Sequence, residues 1–160
     1  MLSTSRTGPR RGCPRATGET TLNIQPYLFF DGRCDEALNF YKKALGAQVE
    51  MLMRFKEAPP QKPGEGCNGP MPDGEKVMHA SFKVGDATIM ASDGMAQGKP
   101  EFKGISLSIT AKNDAEAKRF FDALSDGGKV QQPLMKTFFA SSFGMVADKF
   151  GVGWMVVAMP

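Results

Sequence analysis

Histidine, cysteine and long apolar runs are all scarce in this sequence, and each scarcity excludes a class of protein. The 160 residues contain one histidine, His79, so a site built from several histidines cannot form within one chain. The three cysteines, Cys13, Cys34 and Cys67, are odd in number and scattered. That usage fits a reducing compartment and no disulfide framework, and it predicts a cytoplasmic protein. No apolar run approaches the roughly 20 residues of a membrane-spanning helix, so no membrane partner is expected.

Excess charge is also missing from the body of the chain. The net charge is +3, but Arg6, Arg10, Arg11 and Arg15 lie in the first twenty residues with only Glu19 opposing them. The remainder of the chain holds sixteen basic and sixteen acidic residues. A neutral body lacks the electrostatic footprint that a phosphate backbone requires, so no nucleic-acid partner is expected.

Residues 1–20 lack, after Leu2, the large apolar side chains that a packed element needs. They are rich in Ser, Thr, Gly, Pro and Arg, and we predict a disordered tail ahead of a single domain, 21–160. The shortage of acidic residues is shared with organelle transit peptides, but glycine and proline spoil the amphipathic helix that those peptides form. An over-long start, or residues left from cloning, is the favoured interpretation of the tail.

The sequence does have an internal repeat with a spacing of about eighty residues. The segments Pro26–Val49 and Ile105–Val130 share one order: a strand-like run, then Glu-Ala, then an aromatic pair, then Gly and Val. A duplication of this length indicates one fold built from two similar modules. We place the modules at about 23–97 and 103–159, and we expect the functional site where they meet.

Hydrophobic periodicity assigns the same elements to both modules. Apolar residues at three- and four-residue spacing predict one helix from about Cys34 to Leu45 and another after Asn113, which forms a capping-box-like start with Glu116. The predicted strands, from alternation and turn signals, are Ile24–Phe30, Val49–Phe55, Val77–Val84, Thr88–Ser92, Gly104–Thr110, Lys129–Met135, Phe143–Val146 and Gly153–Ala158. The predicted order is βαβββ, twice, which is an α+β fold.

Several short motifs within this order of elements resemble a known superfamily. They are Tyr27-Leu28-Phe29-Phe30-Asp31-Gly32, Met78-His79-Ala80, Ile89-Met90-Ala91-Ser92-Asp93 and Phe143-Gly144-Met145 ahead of Asp148. With them the chain is similar to the vicinal oxygen chelate superfamily, which contains glyoxalase I, bleomycin-resistance proteins and extradiol dioxygenases, and most similar to its PhnB-like branch. The resemblance covers Ile24 to Ala158. It implies a glyoxalase/bleomycin-resistance-type fold, a cleft between paired modules and a homodimer.

The resemblance also implies where a divalent metal binds in the metal-dependent members. Carried over to this chain, the four ligand positions are Pro26 or Gln25, Ser92 with Asp93 beside it, Ile105 or Ser106, and Met155. Proline, isoleucine and methionine cannot hold a hard divalent ion, and the remaining donors are too few. We therefore expect no metal and no other cofactor, with a divalent metal as the disfavoured alternative.

The candidate site residues are those expected to face the cleft. His79 alternates with core-facing apolar residues, which places it on the concave face with Ser81, where it could exchange a proton near neutral pH. Phe139 and Trp154 are expected to line an apolar ligand pocket, although large aromatic residues are more often plain core. Asp93 follows a strand end and is a candidate general base, although Ser-Asp-Gly is also an ordinary turn. For His79, a structural hydrogen-bonded histidine is the competing interpretation.

Three functions remain open. The favoured one is a metal-free protein that binds a small molecule in the cleft between modules, as the resemblance to bleomycin-resistance proteins implies. The second is an enzyme: either a divalent-metal-dependent lyase, isomerase or dioxygenase, or an acid–base catalyst that uses His79 and Asp93. The third is a structural or regulatory dimer whose cleft is unused.

Overall fold

The computed structural model of the chain describes residues 22–59, 72–94 and 98–160. Their elements are β1 (Tyr27–Phe29), α1 (Cys34–Leu45), β2 (Gln48–Arg54), a 3-10 turn (Phe55–Glu57), β3 (Val77–Val84), β4 (Ala87–Ser92), β5 (Leu107–Ala111), α2 (Asp114–Ser125), β6 (Lys129–Met135), β7 (Ser142–Ala147) and β8 (Gly153–Ala158). The predicted α+β fold of two βαβββ modules is therefore confirmed. The predicted tail, 1–20, lies outside the described residues. Neither α-helix in the described ranges has the length and hydropathy for a membrane crossing.

Each module folds into its own four-stranded sheet. The strand order is β1-β4-β3-β2 in the first sheet and β5-β8-β7-β6 in the second. In both sheets the first strand pairs in parallel with the last, and the other neighbours are antiparallel. The registers correspond as well, because Leu28 pairs with Ala91 as Ile109 pairs with Val156. The repeated sequence thus produces a repeated sheet topology.

Each helix covers one face of its own sheet and begins or ends where the sequence signals it. The buried positions of α1 recur at three- and four-residue spacing and are Cys34, Ala37, Leu38, Tyr41, Ala44 and Leu45. α1 ends at Gly46, whose left-handed φ of 68° lets its N–H bond the carbonyl of Lys42. At the start of α2, the Asn113 side chain accepts from the N–H of Glu116, and the Glu116 carboxylate accepts from the N–H of Lys112, both at 2.8 Å. The predicted capping box is therefore present, with its return bond shifted by one residue.

A buried carboxylate joins the two modules. Asp148 lies in the turn between β7 and β8 and is 3% exposed. It accepts a hydrogen bond from the Tyr41 hydroxyl of α1 at 2.7 Å and from the Trp154 indole at 2.9 Å. It also accepts from the N–H groups of Phe150 and Val152 at 2.9 and 3.1 Å. Burial raises the pKa of Asp148, and these hydrogen bonds act in the opposite direction. Because Tyr41 and Trp154 belong to different modules, Asp148 fixes one module against the other.

Aromatic rings pack around this carboxylate. Tyr41 stacks on Phe82 with ring centroids 5.6 Å apart, and it meets Trp154 edge-on at 5.5 Å. Phe150, from the second module, meets Phe30 of the first edge-on at 5.6 Å. Such pairs contribute about 0.5–1.5 kcal/mol each beyond the area that they bury. The modules are thus joined by a packed aromatic core.

The first strand of each module is shorter than the alternating pattern predicts. β1 begins at Tyr27 and β5 at Leu107, each three residues later than expected. In the first module the cause is Pro26, which has no N–H and joins the sheet only by accepting from the N–H of Met90 at 2.9 Å. Ile24 is consequently left outside the sheet and exposed. The other predicted strands agree with the structure to within one residue.

Candidate functional site

Each sheet has one face covered by a helix and one face that is open. In the first sheet the helix-facing side chains Leu28, Ala80 and Phe82 are buried. Side chains alternate along a strand, so their neighbours point the other way. The residues of this open face are Tyr27, Phe29, Met51, Met53, His79, Ser81 and Met90. Tyr27 is 37% exposed and Phe29 is 46% exposed, so aromatic rings here meet solvent.

His79 lies in an aromatic cluster on this open face. Its Nδ1 is 3.0 Å from the Tyr27 hydroxyl, and with the ring proton on Nε2 it accepts that hydrogen bond. The Tyr27 and His79 rings are 5.7 Å apart, and Tyr27 and Phe29 are 4.9 Å apart. Ser81 lies on the same face, in register with Met90. The structure therefore brings His79 and Ser81 to one face, as alternation predicts.

Tyr27 and Phe29 are site candidates that the sequence analysis did not single out. Their signal was available, because both alternate with the apolar residues Leu28 and Phe30, which are 6% and 1% exposed. The same alternation that assigned His79 to the open face assigns these two rings to it as well.

Phe139 lies in the second module, on the open side of the second sheet. It is 43% exposed and meets Phe143 edge-on at 5.3 Å. Phe143 in turn pairs with Val157 and Met135, on the face turned away from α2. Phe139 is thus an exposed aromatic residue in the connection between β6 and β7, beside the open face of the second sheet, whereas His79 lies on the first sheet.

Trp154 does not share a face with the other candidates. It pairs with Leu107 and Val146, and it is only 2% exposed. Its indole N–H is bonded to Asp148 in the core. The β8 residue next to Trp154 that faces the open side of the sheet is Met155. The expectation that Trp154 lines a cleft together with His79 therefore differs from the structure, because strand alternation turns the ring toward the helices.

Asp93 is a structural carboxylate. It is 2% exposed, and one oxygen accepts from the N–H groups of Gly32 at 2.7 Å and Cys34 at 2.9 Å. The other oxygen accepts from the N–H of Val77 at 2.8 Å. Asp93 thus accepts hydrogen bonds from backbone N–H groups at the start of α1, which have no partner within the helix, and it connects α1 to β3. Because its oxygens are directed at the backbone, the pairing with His79 as acid and base has no support in this geometry.

The donors at the metal positions implied by the superfamily do not fit a divalent ion. Ser92 lies in register with Phe29, and Met155 lies in register with Ser108. Hydroxyl and thioether groups are poor ligands for Zn, Ni, Fe or Mn beside imidazole and carboxylate. The nearby carboxylate, Asp93, is engaged with the backbone. Within 22–59, 72–94 and 98–160, no three His, Cys, Asp or Glu residues are grouped so that they could hold a metal ion.

A basic cavity and an apolar cavity lie between the modules. The basic cavity, of about 600 Å³, is walled by Phe30, Phe102 and Phe150 and rimmed by Arg33, Lys99, Lys103, Lys129 and Lys149. The apolar cavity, of about 560 Å³, is lined by side chains that include Leu45, Ile89, Leu107, Ile109, Phe120 and Trp154. Trp154 therefore does border a space between modules, but on the helix side of the sheets.

Comparison with known proteins identifies the family. The sequence matches the family model described as 3-demethylubiquinone-9 3-methyltransferase over residues 22–157. Protein YjdN of Escherichia coli K12 is 38% identical over 139 residues, which cover 84% of this chain and 94% of YjdN. The structure of PA1353 from Pseudomonas aeruginosa has a TM-score of 0.74 at 42% identity and covers 87% of this chain and 98% of its own. The PhnB protein of Bacillus cereus has a TM-score of 0.69 at 28% identity, over 86% and 99% of the two chains.

The fold extends to more distant proteins. A glyoxylase/bleomycin resistance protein/dioxygenase domain from Frankia sp. EAN1pec has a TM-score of 0.57 at 12% identity, over 88% of this chain and 94% of its own. At that identity the likeness shows the fold alone, and it agrees with the two βαβββ modules seen here. The PhnB-like resemblance inferred from the sequence is confirmed, and the fold is the one that glyoxalase/bleomycin-resistance proteins share: the chain belongs to the 3-demethylubiquinone-9 3-methyltransferase family.

Proposed function

We propose that this protein is a cytoplasmic homodimer that binds a small aromatic molecule, without a metal, between open sheet faces. The observation that carries the proposal is the cluster of Tyr27, Phe29 and His79, in which two exposed aromatic rings adjoin a half-buried imidazole. Small-molecule sites are mostly apolar, with a few placed polar groups. This cluster offers two aromatic rings beside one imidazole, with the hydroxyl of Ser81 on the same face.

Exposed apolar surface on both modules supports the dimer. The first sheet exposes Phe29 (46%) and Met51 (49%), and the second module exposes Met135 (51%) and Phe139 (43%). Contiguous apolar surface of this kind is uncommon on soluble monomers and marks interaction sites. In a two-fold symmetric dimer, the first sheet of each copy can pack against the second sheet of the other copy. Both open faces of both copies would then be covered. This packing would also enclose the Tyr27–His79 pair, which provides the cleft that binding needs.

Methyl transfer, the activity in the family description, is not part of the proposal. Parallel pairing is confined to β1 with β4 and to β5 with β8, so the described ranges contain no doubly wound parallel sheet. The turn after β1, Asp31-Gly32-Arg33, also lacks the glycine-rich pattern of a nucleotide-type cofactor site. Function follows from the site and not from the fold, and the site described here is suited to binding.

The test is a screen of small aromatic molecules against purified protein by thermal shift, with affinities of the hits measured by calorimetry. Tyr27→Ala removes one ring of the cluster and the hydrogen bond to His79. We expect it to weaken the binding of the hits by about 2- to 10-fold, because one aromatic contact contributes about 0.5–1.5 kcal/mol. Leu52→Ala is the matched control: Leu52 is 38% exposed and pairs with Ala80, on the other face of the same sheet.

Three results would contradict the proposal, each in a different part. Hits that bind Tyr27→Ala as tightly as the wild type would exclude this face as the ligand site. Stoichiometric metal in elemental mass spectrometry, after incubation with Zn, Ni, Fe and Mn, would contradict the metal-free state. A monomer in light scattering at micromolar concentration would exclude the dimer.

A further inference from the structure

We infer that the basic cavity is a second binding site, for a small organic anion with a flat apolar body. The cavity lies away from the open faces, among the turn after β1, the segment ahead of β5, the turn from α2 to β6 and the turn from β7 to β8. Its volume of about 600 Å³ falls within the usual range for small-molecule sites, roughly 300–1,000 Å³. The class of ligand follows from the wall and the rim of the cavity.

The wall of the basic cavity is aromatic and fixed in place. Phe30 and Phe150 are 1% and 6% exposed, and their rings meet edge-on. Phe102 extends the wall with a third ring, 6.0 Å from that of Phe30. Opposite Phe102 the chain has Gly151, with φ of +89°, where a Cβ would lie 4.0 Å from the Phe102 ring. A side chain at Gly151 would therefore touch the ring. Because Phe30 and Phe150 are almost fully buried, the partly buried ring of Phe102 is the one that a flat group can contact.

The rim of the basic cavity is predominantly cationic. Its five cations face the acidic residues Asp31, Glu101 and Asp148. The carboxylate of Asp148 is directed into the core, where it accepts four hydrogen bonds. Two carboxylates therefore remain on the rim, and one of them, Glu101, is paired with Lys103 at 2.9 Å. Glu36, outside the rim, bonds two of the cations, so three carboxylates in all stand against five cations. This balance favours an anion.

Two of the cations are held in position by the protein. Arg33 and Lys149 both bond Glu36, at 3.0 and 2.9 Å. Both also lie over the ring of Phe150, with the charged groups 4.6 and 5.3 Å from its centroid. A ligand that reaches this end of the cavity meets cations whose positions are already set, so little side-chain entropy is lost on binding.

The other end of the rim has cations that the protein does not neutralise. In the described part of the chain, no carboxylate lies within salt-bridge distance of Lys99 or Lys129. Lys129 follows Gly128, where a Cβ would lie 2.4 Å from the carbonyl oxygen of Ala147. The α2–β6 turn, which carries Lys129, is therefore packed directly against the β7–β8 turn. This packing restricts the movement of the backbone at Lys129.

The apolar cavity is an internal control for this inference, because the duplication places it at the equivalent position. The basic cavity borders the turns after β1 and β7, whereas the apolar cavity borders the turns after β5 and β3. Among the described residues that line the apolar cavity there is one cation, Lys112, together with Asp86 and Glu116. The fold does not require cations at this position, so their collection in one of two related cavities points to the charge of a ligand.

The experiment is calorimetric titration of the full-length protein with phenyl phosphate, phenol and inorganic phosphate. Phenyl phosphate has both the ring and the anion, and we expect it to bind at least about 10-fold more tightly than either of the other two. The double variant Lys99→Ala/Lys129→Ala removes the two rim cations that have no carboxylate partner among the described residues. We expect it to weaken phenyl phosphate binding by at least about 10-fold and to reduce the salt dependence of binding. The matched control, Lys112→Ala in the apolar cavity, is expected to leave the affinity unchanged.

The opposite results are equally definite. The inference is overturned if phenyl phosphate gives no binding up to about 10 mM, a Kd that corresponds to under 3 kcal/mol, or if phenol or phosphate alone binds as tightly. It is also overturned if the double variant, with an unchanged melting temperature, binds phenyl phosphate like the wild type. Tyr27→Ala separates this site from the proposed function: we expect it to leave phenyl phosphate binding intact. Loss of binding in that variant would place the anion on the open face instead.

Discussion

The two modules each bury one aspartate at the end of a strand. One of these carboxylates bonds groups within its own module, and the other bonds groups of both modules. Asp93 bonds three backbone N–H groups, all within the first module. Asp148 bonds two backbone N–H groups of its own turn and two aromatic side chains, one of which, Tyr41, belongs to the other module. A carboxylate that bonds only the backbone of its own module fixes elements within that module, whereas one that bonds side chains of both modules fixes their arrangement. The two modules thus differ in the partners of their buried aspartates, and the difference lies where the modules pack together.

The strongest test of this contrast is Asp148→Ala. The substitution leaves the Tyr41 hydroxyl, the Trp154 indole and two N–H groups without their acceptor. Because each buried unsatisfied group costs about 1–3 kcal/mol, we expect the free energy of unfolding to fall by about 4 kcal/mol. Asp93→Ala is the comparison, and its expected loss is about 3 kcal/mol, because it orphans three N–H groups, at the start of α1 and of β3. Urea denaturation measures both, and a larger loss for Asp93→Ala would refute the contrast.

The third strands of the two sheets also differ at one equivalent position. Ala80 pairs with Ala91 as Gly144 pairs with Val156, and both face the helix of their own module. The helix residue opposite Gly144 is Phe121, which approaches so closely that a Cβ on Gly144 would lie 2.6 Å from its ring. The second module thus packs its helix nearer to the sheet than a methyl group permits.

Exchanging these two residues tests whether the packing difference is real. Gly144→Ala is expected to lower the free energy of unfolding by about 2 kcal/mol, because the added methyl group overpacks the space against Phe121. Ala80→Gly is expected to cost about 1 kcal/mol through lost burial and added backbone freedom. Thermal unfolding of both variants provides the measurement. If Gly144→Ala were more stable than the wild type, α2 could move away from the sheet at no cost. That result would contradict the close packing of Phe121 on Gly144.

The smallest expected effect concerns Glu36, which links the modules at the surface through Lys149. Hydrogen bonds from Arg33 and from Lys149 lower the pKa of Glu36 to about 2. The ionised Glu36 therefore contributes its full stabilisation at pH values above the pKa that Glu36 has in the unfolded chain. That stabilisation is lost as the pH falls toward about 2. Glu36→Gln should lower the free energy of unfolding at pH 7 by no more than about 0.5 kcal/mol, because the pair is exposed and screened. The difference from wild type should shrink in acid and in high salt; a difference that grows in acid would reverse the sign argued here.

Most of the fold could be predicted because its signals are local. Gly46 stops α1 at the expected residue, and Gly85 and Asp86 form the turn of the β3–β4 hairpin. The start of β1 was placed too early, because alternation continues through Pro26 while a sheet ladder also needs N–H donors. Hydrophobic pattern reports which side chains are apolar, and it does not report which backbone groups find partners.

The site was only partly predictable for a related reason. Alternation assigned His79 and Ser81 to one face, because their neighbours on β3 are clearly apolar. β8 is apolar on both faces, so its pattern could not decide between Trp154 and Met155, and the register with β5 was needed. The role of Asp93 depends on three backbone N–H groups that lie 16 to 61 residues from it in sequence. The basic cavity likewise draws its lining from four separate segments of the chain.

Trp154 is the only tryptophan in the chain, and it lies in the packed core where the two modules meet. Its ring is 2% exposed, lies 5.5 Å from Tyr41 of the other module and is bonded to Asp148. An indole that is shielded from water emits at shorter wavelength than one that contacts it. The protein therefore carries a natural fluorescent label at its junction, and the emission of that single residue records whether the modules are docked, with no dye and no added residue.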